Sequence, residues 1–247
     1  MAVAELVVIR HGESQGNAAA ARAYAEDAEV IDVGVRDADV ELSDVGREQA
    51  TALGRGLAPL LADEVPTLLW SSTYVRAQQT AALGLAAAGV DAPVVRLDER
   101  LRDRELGVLD LLTWKGVVQR FPEEAERRRW LGKFYHRPPG GESWADVVLR
   151  VRSFLRDLQD LPDGSRVVVF CHDALVLCFR YVCEGLDERQ VLDIGATTPV
   201  KNVSITHLGR SPDGSWQVRL FNDVSHLEES DAPVTQHHGD ARVRPQT

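Results

Sequence analysis

The sequence is short of three things, and each shortage excludes a class of protein. It has only three cysteines, Cys171, Cys178 and Cys183. They crowd into one segment, are odd in number and form no Cys-x-x-Cys pair, so no disulfide framework is expected. They read as reduced, buried small hydrophobes. No apolar run approaches the ~20 residues that a membrane helix needs. The first residues also lack the basic region and hydrophobic segment of a secretory signal, so the compartment expected is the cytoplasm. Cationic charge is outweighed, with a formal net charge of -10, which argues against nucleic acid or an anionic membrane as partner. Any anionic ligand must be held by local cations.

What is present is an ordinary globular composition over 247 residues, 44% hydrophobic and 27% charged. One domain over residues 1–227 is the simplest reading, followed by a polar stretch, 228–247, expected to be a disordered tail. Leu6 to Ile9, Thr67 to Trp70 and Val167 to Cys171 are short apolar runs suited to buried strands. Ser43 to Leu61 and Tyr74 to Ala88 are rich in helix formers. After Gly141, Ser143 with Asp146 resembles a capping box, and Trp144, Val147, Val148, Val151, Phe154, Leu155 and Leu158 follow a three-four spacing. Asn202 to Leu208 and Trp216 to Phe221 alternate like strands around the turn Ser211-Pro-Asp-Gly. Repeated βα units without an internal repeat predict a three-layer α/β/α domain with a doubly wound, mostly parallel sheet, its ligand at the strand C-termini. Ala18 to Asp39 is Ala-rich, then acidic, with no clear core stripe. It reads as an insertion, a lid or a homodimer contact.

The first strand ends in Arg10-His11-Gly12-Glu13-Ser14-Gln15-Gly16-Asn17. A cation, an imidazole, two glycines and a carboxamide thus stand where a strand meets a helix, a natural anion site: Gly12 lets the backbone approach a ligand closely, and the helix N-terminus beyond it is expected to present unsatisfied amides. Val7 to Ser14 resembles the signature of the histidine phosphatase superfamily, also called phosphoglycerate mutase-like. Ser71 to Thr80, Leu101 to Gly107, Pro139-Gly140-Gly141-Glu142-Ser143 and His172 follow in that family's order, and the similarity runs from residue 3 to about 208.

The resemblance implies hydrolysis of a small phosphate monoester, a phosphorylated metabolite, through a phosphohistidine on His11, with neither metal nor cofactor. Arg10 and Arg76 would lower the proton affinity of His11 and hold the nonbridging oxygens. His172, if protonated, would add a third cation, and Asn17 would join in binding. The proton donor of the family usually stands four residues before a glycine, here Gly107, which selects Asp103; Glu105 is the alternative. No Cys or carboxylate cluster with ligand spacing surrounds His11 or His172, so no zinc site is expected, and His237 and His238 fall in the expected tail.

Arg129, Lys133 and Arg137 are spaced by four, as along one helical face that could hold a second anionic group. They resemble the basic segment of fructose-2,6-bisphosphatases, although Asp173 and Leu177 replace a Gln and an Arg of those enzymes; a solvated face with its own ion pairs is the alternative. Two further functional readings stand beside the phosphatase. A mutase of this family would carry a long insertion before the Gly-Glu-Ser motif, whereas residues 108–139 form a short segment. A noncatalytic phosphate-recognition module would be signalled by loss of His11 or Arg76, and both are present.

Overall fold

A computed structural model describes residues 3–236. In chain order the elements are β1 (Val3–Arg10), α1 (Gln15–Ala25), α2 (Asp44–Leu61), β2 (Thr67–Ser72), α3 (Val75–Ala87), β3 (Val95–Asp98), α4 (Trp114–Arg120) and α5 (Pro122–Tyr135). They continue with α6 (Trp144–Asp157), β4 (Ser165–Cys171), α7 (Asp173–Glu184), α8 (Glu188–Thr197), β5 (Ile205–Arg210), β6 (Trp216–Asp223) and α9 (Ser225–Glu228). The strands form one sheet in the order β3-β2-β4-β1-β5-β6. β3, β2, β4 and β1 run parallel, and β5 is antiparallel to both its neighbours. The mixed, mostly parallel sheet with helices on both faces agrees with the α/β expectation.

Strand alternation explains the layers. Leu6 and Val8 of β1, with Val167, Val169 and Cys171 of β4, face a core shared with α6 and α7. Their neighbours Val7, Ile9, Val168 and Phe170 face the opposite core, built with Leu53 and Leu57 of α2 and Ala81 and Leu85 of α3. A strand buried on both faces must be apolar at every position, which is why these segments are continuous runs. Each such buried side chain contributes about 1.5–3 kcal/mol. The α6 stripe behaves as its spacing predicts: Ser143 caps it reciprocally with Asp146, and Trp144, Val147, Val148, Val151 and Phe154 are buried.

Three expectations change. The Ala-rich half of the insertion is helix α1, whose small Ala19 and Ala23 are its buried contacts; a stripe of alanines seats a helix closely without bulky residues to announce it. The segment read as a tail from residue 228 is seated through Thr235. Ala232 is buried, and Gln49 Nε2 donates to the Pro233 carbonyl and Thr235 Oγ1, both at 2.8 Å. His237 and His238 lie outside the described residues. The basic row is not a row: Gly132, at φ 77° and ψ 159°, breaks α5 between Arg129 and Lys133, and Arg137 lies beyond its end. Arg129 pairs with Glu126 and Arg137 with Asp146, both toward solvent.

Candidate active site

Sheet register creates the site. β1 and β4 are parallel with Arg10 opposite Cys171, so the next residues, His11 and His172, emerge side by side at the C-terminal edge. Their rings meet edge to face with centroids 5.2 Å apart. β2 also runs parallel to β4, and Ser72 at its end places Oγ 2.9 Å from His172 Nε2. Arg76 follows from the first turn of α3, its guanidinium 4.9 Å from the centre of the Tyr74 ring.

The loop after β1 is held by tight packing. A Cβ on Gly12 would stand 2.6 Å from the Gly46 carbonyl oxygen, and one on Gly46 only 1.9 Å from that of Glu13, so the loop and the start of α2 meet backbone to backbone. The loop amides do not wait for an anion, contrary to the sequence reading. Gly12 N–H donates to Thr80 Oγ1 at 3.0 Å, Glu13 N–H to Gln49 Oε1 at 2.9 Å, and Ser14 N–H to Asn17 Oδ1 at 3.1 Å. Asn17 therefore uses its carbonyl to cap α1. An anion at this edge would therefore be met by side chains.

His11, Arg10, Arg76 and His172 are all nearly inaccessible to water. His11 Nδ1 lies 2.6 Å from the Gly12 carbonyl oxygen. A carbonyl can only accept, so Nδ1 carries the proton and Nε2 keeps its lone pair. Arg76 Nε stands 3.3 Å from that Nε2. Burial first, then Arg76, His172 and Arg10, hold the His11 imidazolium well below its ordinary range. His172 is depressed likewise, by burial and then by Arg76, Arg150 and Arg10. These surroundings favour the neutral His172 ring over the third cation that the sequence reading allowed. With the Ser72 hydroxyl assigned as donor to His172 Nε2, Nδ1 carries the ring proton, and two buried donors in this centre then meet no protein hydrogen-bond acceptor among the described residues: Arg10 Nε and His172 Nδ1. Asp103 Oδ2 is 3.3 Å from the latter, but out of line for a hydrogen bond.

The loop carrying the two candidate acids is clamped. Gly107 has φ 56°, and a Cβ there would stand 2.1 Å from the Pro139 carbonyl oxygen, while Glu142 N–H donates to the Glu105 carbonyl at 2.8 Å. Arg150 Nη2 donates to the Asp103 carbonyl at 3.0 Å, and its Nε to Glu142 Oε1 at 3.0 Å. The two side chains then diverge. Asp103 turns inward, with Oδ2 3.1 Å from Arg76 Nη2. Glu105 turns outward, accepts the Tyr74 hydroxyl at 2.6 Å and leaves its side chain 46% exposed. A third carboxylate, missed in the sequence, completes the centre: Asp37 Oδ2 lies 3.1 Å from Arg76 Nη2, and the Asp37 carbonyl accepts from Nη1 at 2.6 Å.

The sequence profile of the histidine phosphatase superfamily (branch 1) matches residues 6–224. The chain belongs to this superfamily. A probable phosphoglycerate mutase from an Enterobacter species (strain 638) is 30% identical over 244 residues, covering 93% of this chain and 96% of that protein. A metal-independent phosphoserine phosphatase from Arabidopsis thaliana is 27% identical over 226 residues, covering 91% and 84%. Among solved structures, a mycobacterial glucosyl-3-phosphoglycerate phosphatase complexed with VO3 superposes with a TM-score of 0.67 at 28% identity, covering 90% of this chain and all of that one.

Within this histidine phosphatase superfamily member, His11, Arg10, Arg76, His172 and Asp103 converge, Glu105 lies at the rim, and Lys133 reaches the adjoining cavity. Arg129 and Arg137 do not converge with them. Sequence reasoning missed Asp37, Ser72, Tyr74 and Arg150. Ser72 and Tyr74 sat inside a segment already singled out, whereas Asp37 lay in an acidic stretch with no periodic signal.

Proposed function

We propose that the protein hydrolyses a small phosphate monoester in two half-reactions, with His11 as nucleophile. The observation that carries this reading is the pair of buried, unpartnered donors beside a neutral imidazole. Each such donor costs about 1–3 kcal/mol when unsatisfied, and phosphoryl oxygens would satisfy both while Arg76 supplies a planar two-pronged contact. The phosphatase relatives and the mycobacterial neighbour support the same chemistry.

In the first step the Nε2 lone pair attacks phosphorus and the ester P–O bond breaks. Arg10 and Arg76 stabilise the charge that spreads over the nonbridging oxygens. The leaving alkoxide takes a proton from a carboxylic acid, and Asp103 is our assignment, since it is the one of the two candidates that faces the reaction centre. In the second step the same carboxylate accepts a proton from water as the hydroxide oxygen attacks the phosphohistidine, returning His11 and releasing phosphate. No step needs a metal or a cofactor. The segment from Asp27 to Asp39 joins the 110–116 region through Val30 and Leu112 and touches Arg76 through Asp37. We read it as a cover over the site rather than a dimer contact.

The test is phosphate release from a panel of phosphomonoesters with chelator present, for wild type and His11→Ala. Turnover that resists chelator and is lost in His11→Ala supports the proposal. Transfer of labelled phosphoryl between substrate hydroxyls, rather than to water, would instead establish the mutase alternative that the phosphoglycerate mutase relatives represent. Tight phosphate binding without turnover would establish a recognition module.

A further inference from the structure

Next to the reaction centre lies a cavity of about 260 Å³, bounded on one side by Asp103 and Asp173. It falls below the ~300–1,000 Å³ typical of drug-sized ligands and adjoins a shallower depression of about 890 Å³, so it takes the part of the alcohol nearest the phosphoryl group. Asp37, Asp103, Glu105, Asp110 and Asp173 line it against Arg104 and Lys133. Asp37 and Asp103 share Arg76, and Glu105 stands 3.8 Å from Arg102, so the excess of acid falls on Asp110 and Asp173. Both cations are engaged: Arg104 Nε donates to the Glu142 carbonyl at 2.7 Å, and Lys133 Nζ lies 5.3 Å over the Trp144 ring. The remaining wall is apolar, with Ile31, Leu106, Leu112, Leu177, Leu192 and Val200 among its residues. Glu105, Asp37 and Asp110 also line the adjoining depression, so a ligand entering that way passes the same carboxylates.

Resting on the phosphatase reading, we infer that the alcohol released here has an apolar body, bears a cationic amine or a hydroxyl, and carries no second anionic group. Arg10 and Arg76, the cations that would meet the transferred phosphoryl group, do not line this cavity. A carboxylate or second phosphate on the leaving group would therefore lie among acids in a partly enclosed, weakly screened space, where like charges repel. An ammonium or hydroxyl would find acceptors at Asp110 and Glu105, and an apolar ring would cover the leucines. Esters that carry a carboxylate, phosphoglycerates among them, are disfavoured on the same ground. Asp173 adds to this, because its carboxylate stands at the first turn of α7 and shares the cavity with Leu177.

The experiment compares three probes built on one ring, phenyl, 4-carboxyphenyl and 4-(aminomethyl)phenyl, each as the nonhydrolysable phosphonate and as the phosphate ester, with 4-carbamoylphenyl as the neutral control of the same size as the carboxy probe. Affinity for the phosphonates is measured by calorimetry, and phosphate release from the esters is followed in parallel. The expected order is aminomethyl at or above phenyl, with the carboxy probe weaker by about tenfold or more, and Asp110→Asn should narrow that gap severalfold. A carboxy probe that binds as well as the phenyl probe, or better, would overturn the inference even if all three esters turn over. The expected ranking without any phosphate release would uphold the inference on binding and overturn the phosphatase reading. Because wild-type protein gives the ranking, the result does not depend on how well the variant folds.

Discussion

Asn202 Nδ2 donates to the main-chain carbonyl of His11 at 3.0 Å, from a position 191 residues away in sequence. The same Asn202 is fixed in turn by the C-terminal segment: its N–H donates to the Thr235 carbonyl at 3.0 Å, and its Oδ1 accepts the Thr235 hydroxyl at 3.1 Å. Gln49 bridges the two sides, accepting from Glu13 N–H while donating to Thr235. Residues 233–235 thus strap the loop that carries the nucleophile. Truncating the Asn202 side chain removes the shorter of two hydrogen bonds to the His11 carbonyl, which keeps the Val203 N–H at 3.3 Å, and should cost about 0.5–1.5 kcal/mol of stability. It should also lower kcat more than it raises KM, because a displaced His11 reacts poorly with substrate that the arginines still hold. Thr235→Val should show the same split in weaker form. Equal losses in kcat and in stability-limited active fraction, with unchanged kcat per folded molecule, would reduce Asn202 to a structural role.

The pH dependence follows from burial. Burial and neighbouring cations hold both His11 and His172 well below the ordinary range of an imidazole. A nucleophile that stays neutral in mild acid keeps its lone pair, so the acid limb of kcat/KM should fall below the range of an exposed imidazole. Stability runs the other way. The unfolded chain takes up protons at these two positions near their ordinary value while the folded chain does not, so stability rises with pH up to about 6.5 and declines as pH falls below it. Urea midpoints measured from about pH 7 to about pH 5 should show that decline, and His172→Gln should flatten it.

Arg76 is the hub of the charged centre, and lysine should not replace it. Arg76→Lys loses the fork that meets Asp37, Asp103 and the phosphoryl oxygens together, and kcat/KM should fall by about 10²–10³-fold. Asp37→Asn should act oppositely on binding. It removes a carboxylate that shares Arg76 Nη2 with the incoming anion, so inhibition by inorganic phosphate should tighten several-fold, by roughly 1 kcal/mol.

The two candidate acids separate by substitution. Asp103→Asn should depress kcat by about 10²–10⁴-fold for substrates with poor leaving groups and much less for an aryl phosphate, whose phenolate needs little help. Glu105→Gln should change kcat by less than about threefold, since the side chain is spent on Tyr74 at the rim. A collapse in Glu105→Gln with Asp103→Asn active would reassign the proton donor.

Much of the fold was legible because buried parallel strands must be apolar throughout, and Leu6 to Ile9 and Val167 to Cys171 could hardly be anything else. Ser143 with Asp146 marked the start of α6 because a capping box is local chemistry. His11, Arg10, Arg76 and His172 were legible as motif residues following strands or opening a helix. Other features depended on long-range geometry. Gly132 broke the Arg129, Lys133 and Arg137 register through a single positive φ, which no spacing rule detects. Asp37 and Thr235 matter only because distant segments fold back onto Arg76 and Asn202, and both lie in stretches without hydrophobic pattern. The loop amides seemed free for an anion because Thr80 and Gln49, which satisfy them, come from other helices.

The measurement that tests the central claim most directly is rapid quench of the wild-type enzyme with an aryl phosphate labelled in its phosphoryl group, followed by mapping of the labelled peptide. The account predicts an acid-labile, base-stable label on His11 that forms within one turnover and decays at the rate of phosphate release, and none in His11→Ala. Undiminished turnover in His11→Ala, or label on another residue, would contradict it.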